Sequence, residues 1–430
     1  MLLDVDEIGQ VHLYHASGLC PSIQSDWTKL NESDAIDINR PRIEDLIQRN
    51  VRIIEVYLTE VIRSRYNEQV DRGTRKDRYS YPTSTETSIR FPAEAREQLL
   101  DYVSSIAHDY RSVLYHNFEH ASHVLLSSHM LIQLSRGAHK SENCDKVQNS
   151  SLNSVPVSDN NVMFDISSCS MANLALVISA LVHDVDHQGV GNQQLVNEKS
   201  DLSHRYHGKS VAENNSIDIA LNLLKEVRFE CLRECMFGSS DTDNPTEDAK
   251  LFESLVHDMI LSTDINSKEC IERNKKKWEM AFKEEVTSAQ YHHVSSGTDS
   301  IQRDSSQISY LQMSSVLEQM IQTADVAHCM QSWPVFLKWG HKLFHEIWAA
   351  NLAGRGPEVP ADWFQCQIDF FEYYIFGLAR RLEECGMFGS FVSVFLENAS
   401  NNRDRWMKEG KTICAKLYAE VGETVRETSE

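Results

Sequence analysis

At 430 residues the chain has room for one large domain or two ordinary ones, and 41% apolar residues with 9% aromatics suffice for a substantial core. A formal charge of −21 argues against attraction to a nucleic-acid polymer, so a small anionic substrate would need local positive charge, most economically from metal. Ten cysteines are dispersed without a paired framework, and no second pair completes a zinc knuckle with Cys231 and Cys235, which points to free thiols in a reducing, cytoplasmic setting.

No charged-then-apolar leader is visible and no apolar run is long enough to span a bilayer, so no membrane segment is expected. Glycine and proline number only 17 and 9, and strand-like alternation is hard to find. Apolar residues instead recur at three- and four-residue intervals in "IEDLIQRNVRIIEVYLTEVIRSRY", "AREQLLDYVSSIAHDYRSVL" and "FQCQIDFFEYYIFGLARRLEE". The pattern predicts a compact all-α protein of about fifteen helices. Residues 1–85 carry helical periodicity but no recognisable chemistry, and are set apart as an extension of unknown role. Residues 86–415 form the main domain and 416–430 its tail, of which "GETVRETSE" (422–430) is expected to fray. Within the domain, 137–170 and 290–308 are polar, Ser/Asn-rich and aperiodic, and read as exposed loops.

Taken along the chain, the first chemistry-bearing stretch is "YHNFEHASHV" (115–124), where His116 and His120 stand four apart, as on one helical face. His123 and, further on, His129 have no assignment and are expected at the surface. "ANLALVISALV" (172–182) suits a buried helix and runs into "HDVDH" (183–187), whose His183 and His187 again stand four apart, with Asp184 about 100° round. "QTADVAH" (322–328) adds Asp325 in helical context. Two imidazoles (His120, His183) and two carboxylates (Asp184, Asp325) would make a mixed divalent site with room for water, as metal-assisted hydrolysis requires.

The ordered set "YHNFEHASHV", "HDVDHQGVGN", "SVAEN", "STDI", "TADVAH" and "QIDFFEYY" resembles the catalytic domain of class I 3′,5′-cyclic nucleotide phosphodiesterases from about residue 88 to 410. The resemblance implies an all-helical HD-type metal phosphohydrolase fold with a deep pocket. It implies hydrolysis of cAMP or cGMP, a small-molecule substrate, to the 5′-monophosphate by a hydroxide bridging two divalent ions. His120, His183, Asp184 and Asp325 match the ligands of a tight zinc site, with Asp184 bridging to magnesium or manganese. Glu213 and Thr263 match residues holding the second ion's waters, and His187 and Asp264 match supporting positions. His116 matches the general acid for the departing 3′ oxygen, and it needs a carboxylate partner that the sequence does not identify. Gln367 matches the glutamine that hydrogen-bonds the base, Phe370 the ring that stacks on it, and Leu343 the aliphatic side of that clamp. Tyr115, Ile265 and His328 match pocket-lining positions.

Several letters depart from the family pattern: Asn215 and Ser216 replace two histidines, Gln188 replaces a proline, and His207-Gly208 and "FHEIWAANLAGRG" also differ. They touch no proposed ligand, yet put the support of the site in question. Another HD-type nucleotide phosphohydrolase and a catalytically weak cyclic-nucleotide sensor are the competing readings. The oligomeric state, with a homodimer among the alternatives, is open.

Overall fold

The computed structural model describes residues 42–71, 91–148, 169–239, 244–282, 305–356 and 362–427, and among these it is helical with no strand. The α-helices run α1 Ile43–Asp71, α2 Ala93–Asp109, α3 Phe118–Gln148, α4 Ser170–Val182, α5 Asn192–Asn197, α6 Asp201–Arg205 and α7 Val211–Lys225. They continue as α8 Glu230–Phe237, α9 Glu247–Ser262, α10 Lys268–Phe282, α11 Ser305–Asp325, α12 Trp333–Leu352, α13 Trp363–Phe370, α14 Phe376–Glu384 and α15 Ser393–Glu427. The all-α expectation is met.

Helix α4 is the axis of the fold. It is apolar all round, every residue from Met171 to Val182 is buried, and it packs against α1, α3 and α9. A helix without a polar face is stable only when surrounded. Its C-terminal end therefore delivers His183 directly into the interior.

Helix α1 belongs to the same core: Ile54, Tyr57 and Leu58 are at most 1% exposed, and the helix packs on α2, α3 and α4. The segment set apart before residue 86 thus contains an integral core helix, while 1–41 and 72–90 lie outside the described residues. Three further boundaries move outward from the sequence reading. α3 runs to Gln148, into the polar stretch read as a loop from 137, and 305–308 open α11; 149–168 and 290–304 lie outside the described residues. The tail is helical to Glu427, because Leu417 and Val421, four apart, are both buried against the core.

His123 and His129 also correct the surface expectation. His129 is 4% exposed with Nδ1 2.7 Å from the Tyr57 hydroxyl, and His123 Nε2 lies 2.9 Å from Gln331 Oε1. Burial pulls His129 down to about 4 and His123 to about 3, so both are neutral packing residues with a polar partner.

One buried charge cluster ties α9, α10 and α11 together. Lys277 Nζ donates to Asp258 (2.7 Å) and Glu318 (2.6 Å), and Ser314 Oγ donates to the same Asp258 oxygen. Burial lifts Glu318 to about 7 despite the lysine's opposing pull. Lys277→Ala is expected to destabilise the protein by roughly 3 kcal/mol, the low end for breaking a buried pair, because Glu318 can take up a proton. A carboxyl whose folded pKa lies above its unfolded value makes the native state hold the extra proton. Stability in the variant should therefore fall as pH rises from about 4.5 towards and beyond neutrality. Thermal melts at pH 5 and 8 check both the size and the sign.

Candidate active site

The site is assembled from ends of elements. Asn117 caps α3, its Oδ1 accepting from the amides of Glu119 (3.0 Å) and His120 (3.1 Å). His120 therefore enters on the first turn of α3, whereas His116 lies in the turn before it, so the two do not share a helix face. "HDVDH" likewise is not helical: α4 stops at Val182, and Asp186 takes φ 63. Its side chain is clamped in that conformation by Arg111 Nε (2.6 Å) and Asn215 Nδ2 (3.0 Å). The turn sends His183 and His187 into two neighbouring clusters.

The first cluster is His120, His183, Asp184 and Asp325. The separations are 3.0 Å from His120 Nε2 to Asp325 Oδ1 and 3.1 Å from His183 Nε2 to Asp184 Oδ2. The crossed pairs lie at 3.6 Å (His120 to Asp184) and 3.5 Å (His183 to Asp325). Donors bound to one ion at about 2.0–2.2 Å are roughly 2.9–3.5 Å apart; His120, His183 and Asp325 bring their donor atoms within 4.8 Å of one another, and Asp184 reaches both histidines from beside them.

The donor chemistry gives the same answer. His183 Nδ1 is 3.1 Å from the Ala180 carbonyl, so it carries the proton and leaves the Nε2 lone pair facing two carboxylates. That buried Nε2 makes no hydrogen bond. Two carboxylates around that nitrogen call for a cation on it, either a proton or a metal ion. Burial alone would lower the His183 pKa, but Asp184 and Asp325 overcome it and raise it well above the imidazole norm. Both carboxyls are held below their usual range by the histidines, against the opposing effect of burial. The residues fit a metal ion.

The second cluster is His116, His187 and Glu346, whose donor atoms lie within 4.8 Å of one another. His116 Nδ1 pairs with Glu346 Oε1, and Glu346 Oε2 accepts from the amides of Tyr115 (2.6 Å) and His116 (3.1 Å). Burial works against protonation of His116, yet the Glu346 carboxylate outweighs it and lifts the imidazole to about 9. Glu346 itself falls to about 2, burial notwithstanding. His187 packs on His116 with ring centroids 4.0 Å apart and planes tilted by 33° and, through burial first and the His116 charge next, is lowered to about 4. Gly189 makes this approach possible. It sits at φ +70, and a Cβ there would meet Val113 at 3.2 Å and the Glu346 side chain at 3.5 Å.

A third group flanks the cage. Asn192 Nδ2 donates to Glu213 Oε2 (2.9 Å) and Asp264 Oδ2 (3.1 Å), and Ser210 Oγ also donates to Asp264 (2.8 Å). Burial, reinforced by the Asp264 charge, raises Glu213 to about 7. Thr263 caps α9, its hydroxyl donating to the Ile260 carbonyl, and Ile265 N donates to the Thr263 carbonyl.

On the opposite side, Tyr115 packs against His120 (centroids 4.6 Å), Trp339 (5.7 Å) and His328 (6.0 Å), and Leu343 packs on the Tyr115–Val335–Trp339 cluster. Burial lowers His328 to about 3. The presumed clamp residues diverge. Phe370 stacks on Tyr374 at 5.4 Å, ahead of a single π-helical stretch, Phe371–Ile375. Gln367 instead lines a cavity of about 170 Å³ with Phe336, Gly340, Trp363 and Trp406, which contains neither Phe370 nor Leu343.

The departures from the family pattern prove to be supports. Asn215 holds Asp186, and the Ser216 hydroxyl donates to the Val185 carbonyl (2.9 Å), so both still tether the HDVDH turn. Gln188 accepts from Arg355 (2.8 Å). His207 and Gly208 form a turn with φ 53 and φ 69, a conformation glycine adopts at little cost.

A family model described as 3′5′-cyclic nucleotide phosphodiesterase matches residues 115–384, which contain every residue of the three groups. The chain belongs to this family. Among curated relatives of this phosphodiesterase domain is the probable 3′,5′-cyclic-AMP phosphodiesterase pde-4 of Caenorhabditis elegans, 26% identical over 251 residues. That match covers 58% of this chain and 30% of the relative. The mouse 3′,5′-cyclic-AMP phosphodiesterase 4C is 25% identical over 261 residues, covering 60% of this chain and 30% of that protein. The cGMP-specific 3′,5′-cGMP phosphodiesterase 3 of Dictyostelium discoideum is 21% identical over 328 residues, 74% of this chain and 57% of its own length. The matched stretch thus spans about a third of the worm and mouse proteins. The phosphodiesterase domain of the Salpingoeca rosetta RhoPDE fusion protein shares the fold, with a TM-score of 0.54 and 19% identity over 91% of this chain and 100% of that domain.

Sequence reading missed Glu346, the partner of His116, and Asn192, which joins Glu213 to Asp264. Asn192 closes the "GVGN" run and could have been flagged as the polar residue following two glycines. Glu346 had no comparable signal.

Proposed function

We propose that this chain hydrolyses a 3′,5′-cyclic nucleotide, cAMP or cGMP, to the nucleoside 5′-monophosphate. The observation that carries the reading is the His116–Glu346 pair standing beside the His120–His183–Asp325 group, with Asp184 against its histidines. Zinc suits the His120–His183–Asp184–Asp325 donors, and magnesium or manganese suits the oxygen-rich flank at Glu213 and Asp264. Two such ions, when bound, would screen the phosphate charge and acidify water for attack on phosphorus.

The chain's own residues account for the other half of the reaction. Hydrolysis breaks the bond between phosphorus and the 3′ oxygen, and that oxygen must gain a proton. With Nδ1 committed to Glu346, His116 presents Nε2 as the donor, and the carboxylate stabilises the imidazolium until transfer. Glu346 also fixes the Tyr115–His116 backbone, so the acid's position is set at three points. His187, neutral, packs against one face of the imidazole. The Tyr115, His328, Leu343 and Trp339 wall would exclude water from the nucleotide. Phe370 and Gln367 are the proposed base contacts, Gln367 turning from its present cavity towards the base. The substrate names carried by relatives cover both nucleotides, so dual use is part of the proposal.

No helix among the described residues is long and apolar enough to cross a membrane. A cytoplasmic location is part of the proposal, on the dispersed, unpaired spacing of the ten cysteines.

Turnover of cAMP and cGMP side by side, with and without EDTA, tests the reading, with deoxynucleoside monophosphates as the control for other phosphohydrolase chemistry. Product should be the 5′-monophosphate, and chelation should abolish it. His116→Ala should cost about 10²–10⁴-fold in turnover while leaving bound metal unchanged. Metal-replete protein that leaves both cyclic nucleotides intact would refute the proposal.

A further inference from the structure

Outside the active site, one cluster of metal-type side chains among the described residues remains without a role. His341 and His345 stand one turn apart on α12, and both aim Nε2 at the same oxygen of Glu420 on α15, at 3.0 Å and 3.3 Å. All three donor atoms lie within 4.8 Å of one another, and the imidazole centroids are 4.4 Å apart. From this geometry we infer a second, surface metal site, His341–His345–Glu420, that takes a borderline divalent transition ion such as zinc or copper.

The physical case is one of convergence. Two imidazole nitrogens converge on one carboxylate oxygen, with the rings 4.4 Å apart. A single divalent ion would accept both nitrogen lone pairs and the carboxylate together. The two histidine–carboxylate separations, 3.0 and 3.3 Å, fall within the 3.0–3.6 Å spread of the buried group and match the edge of a coordination sphere with bonds of about 2.0–2.2 Å. Histidines at positions i and i+4 project side by side from a helix, so α12 presents the nitrogen pair without rearrangement. Imidazole donors select zinc, nickel or copper over magnesium and calcium, which prefer all-oxygen shells. His341 and Glu420 are about half exposed, leaving open positions for water and an entry path for the ion.

The site shares no residue with the buried cage, and the inference stands whether or not the proposed reaction is correct. Its consequence is mechanical. An ion here would pin α12, which carries Glu346 and Leu343, to the last third of α15. His341 and Glu420 also line the cavity that holds Gln367. Occupancy would therefore fix one wall of that cavity.

The test uses the full chain with its buried cage already loaded with zinc and magnesium. Substoichiometric Cu²⁺ is then added and followed by electron paramagnetic resonance and thermal melting. Wild type should bind one additional ion with two imidazole nitrogens and melt at least about 2 °C higher. The His341→Ala/His345→Ala and Glu420→Gln variants should weaken copper binding by at least about tenfold and lose the melting shift, with the zinc content of the cage unchanged. If all three proteins bind copper alike, or if the wild-type spectrum contains fewer than two imidazole nitrogens, the trio is an ordinary surface ion pair and the site does not exist.

Discussion

Asp325→Asn is expected to strip the cage of metal and turnover together while leaving the fold intact. The substitution preserves shape and removes only charge. Asp325 closes α11 and faces both cage histidines, 3.0 Å from His120 and 3.5 Å from His183. Loss of a group that merely orients a ligand already costs about 10–100-fold in metal affinity, so loss of a direct donor should exceed about 100-fold. Without that carboxylate His183 also loses one of the two charges that raise its pKa, so the apo site holds its proton less tightly. Metal content by atomic emission and cyclic-nucleotide turnover should therefore fall in parallel. A variant that keeps its buried ion and full activity would show that Asp325 is a structural helix end, and the cage assignment would fail.

How much of this was legible beforehand depends on whether a residue's role is local. The convergence of His120, His183, Asp184 and Asp325 was, because imidazoles and carboxylates at the edge of apolar runs announce an unusual burial cost. The helices were as well, since α1, α2 and α13 display their periodicity openly. The sense of the motif geometry was not. His116–His120 and His183–His187 have helical spacing, yet Asn117 starts α3 after His116 and the left-handed Asp186 ends any helical continuation. Polar composition misled at the ends of α3, α11 and α15, where the helix runs on through Ser-, Lys- and Glu-rich sequence. Glu346 was invisible for a different reason. It lies 230 residues from His116 within "FHEIWAANL", where a glutamate on an amphipathic helix reads as a solvated one. Its burial to 4% exposure is a property of the fold alone.

That buried glutamate gives the sharper of the two tests. In Glu346→Gln the side chain can still accept from the Tyr115 and His116 amides through its carbonyl oxygen, so the turn should hold. What changes is the atom facing His116 Nδ1. A carboxylate accepts a proton-bearing nitrogen and favours the imidazolium; an amide NH₂ in its place donates to Nδ1 and favours the neutral ring. The Glu346 charge is the principal influence that lifts His116 to about 9 against burial, so its removal must lower that pKa. Because the acid works only when protonated, the alkaline limb of the turnover profile should move to lower pH. At pH 8 turnover should drop by about 10–100-fold. Near pH 6, where more of the histidine is again protonated, the gap to wild type should narrow. Bound cations will depress the histidine in both proteins, so the comparison rests on the displacement between the two curves. Zinc content should match wild type, since Glu346 is not a cage donor. Parallel pH profiles with uniformly reduced turnover would instead make Glu346 a brace for the Tyr115–His116 backbone, and the proton held at His116 would need another source of stabilisation.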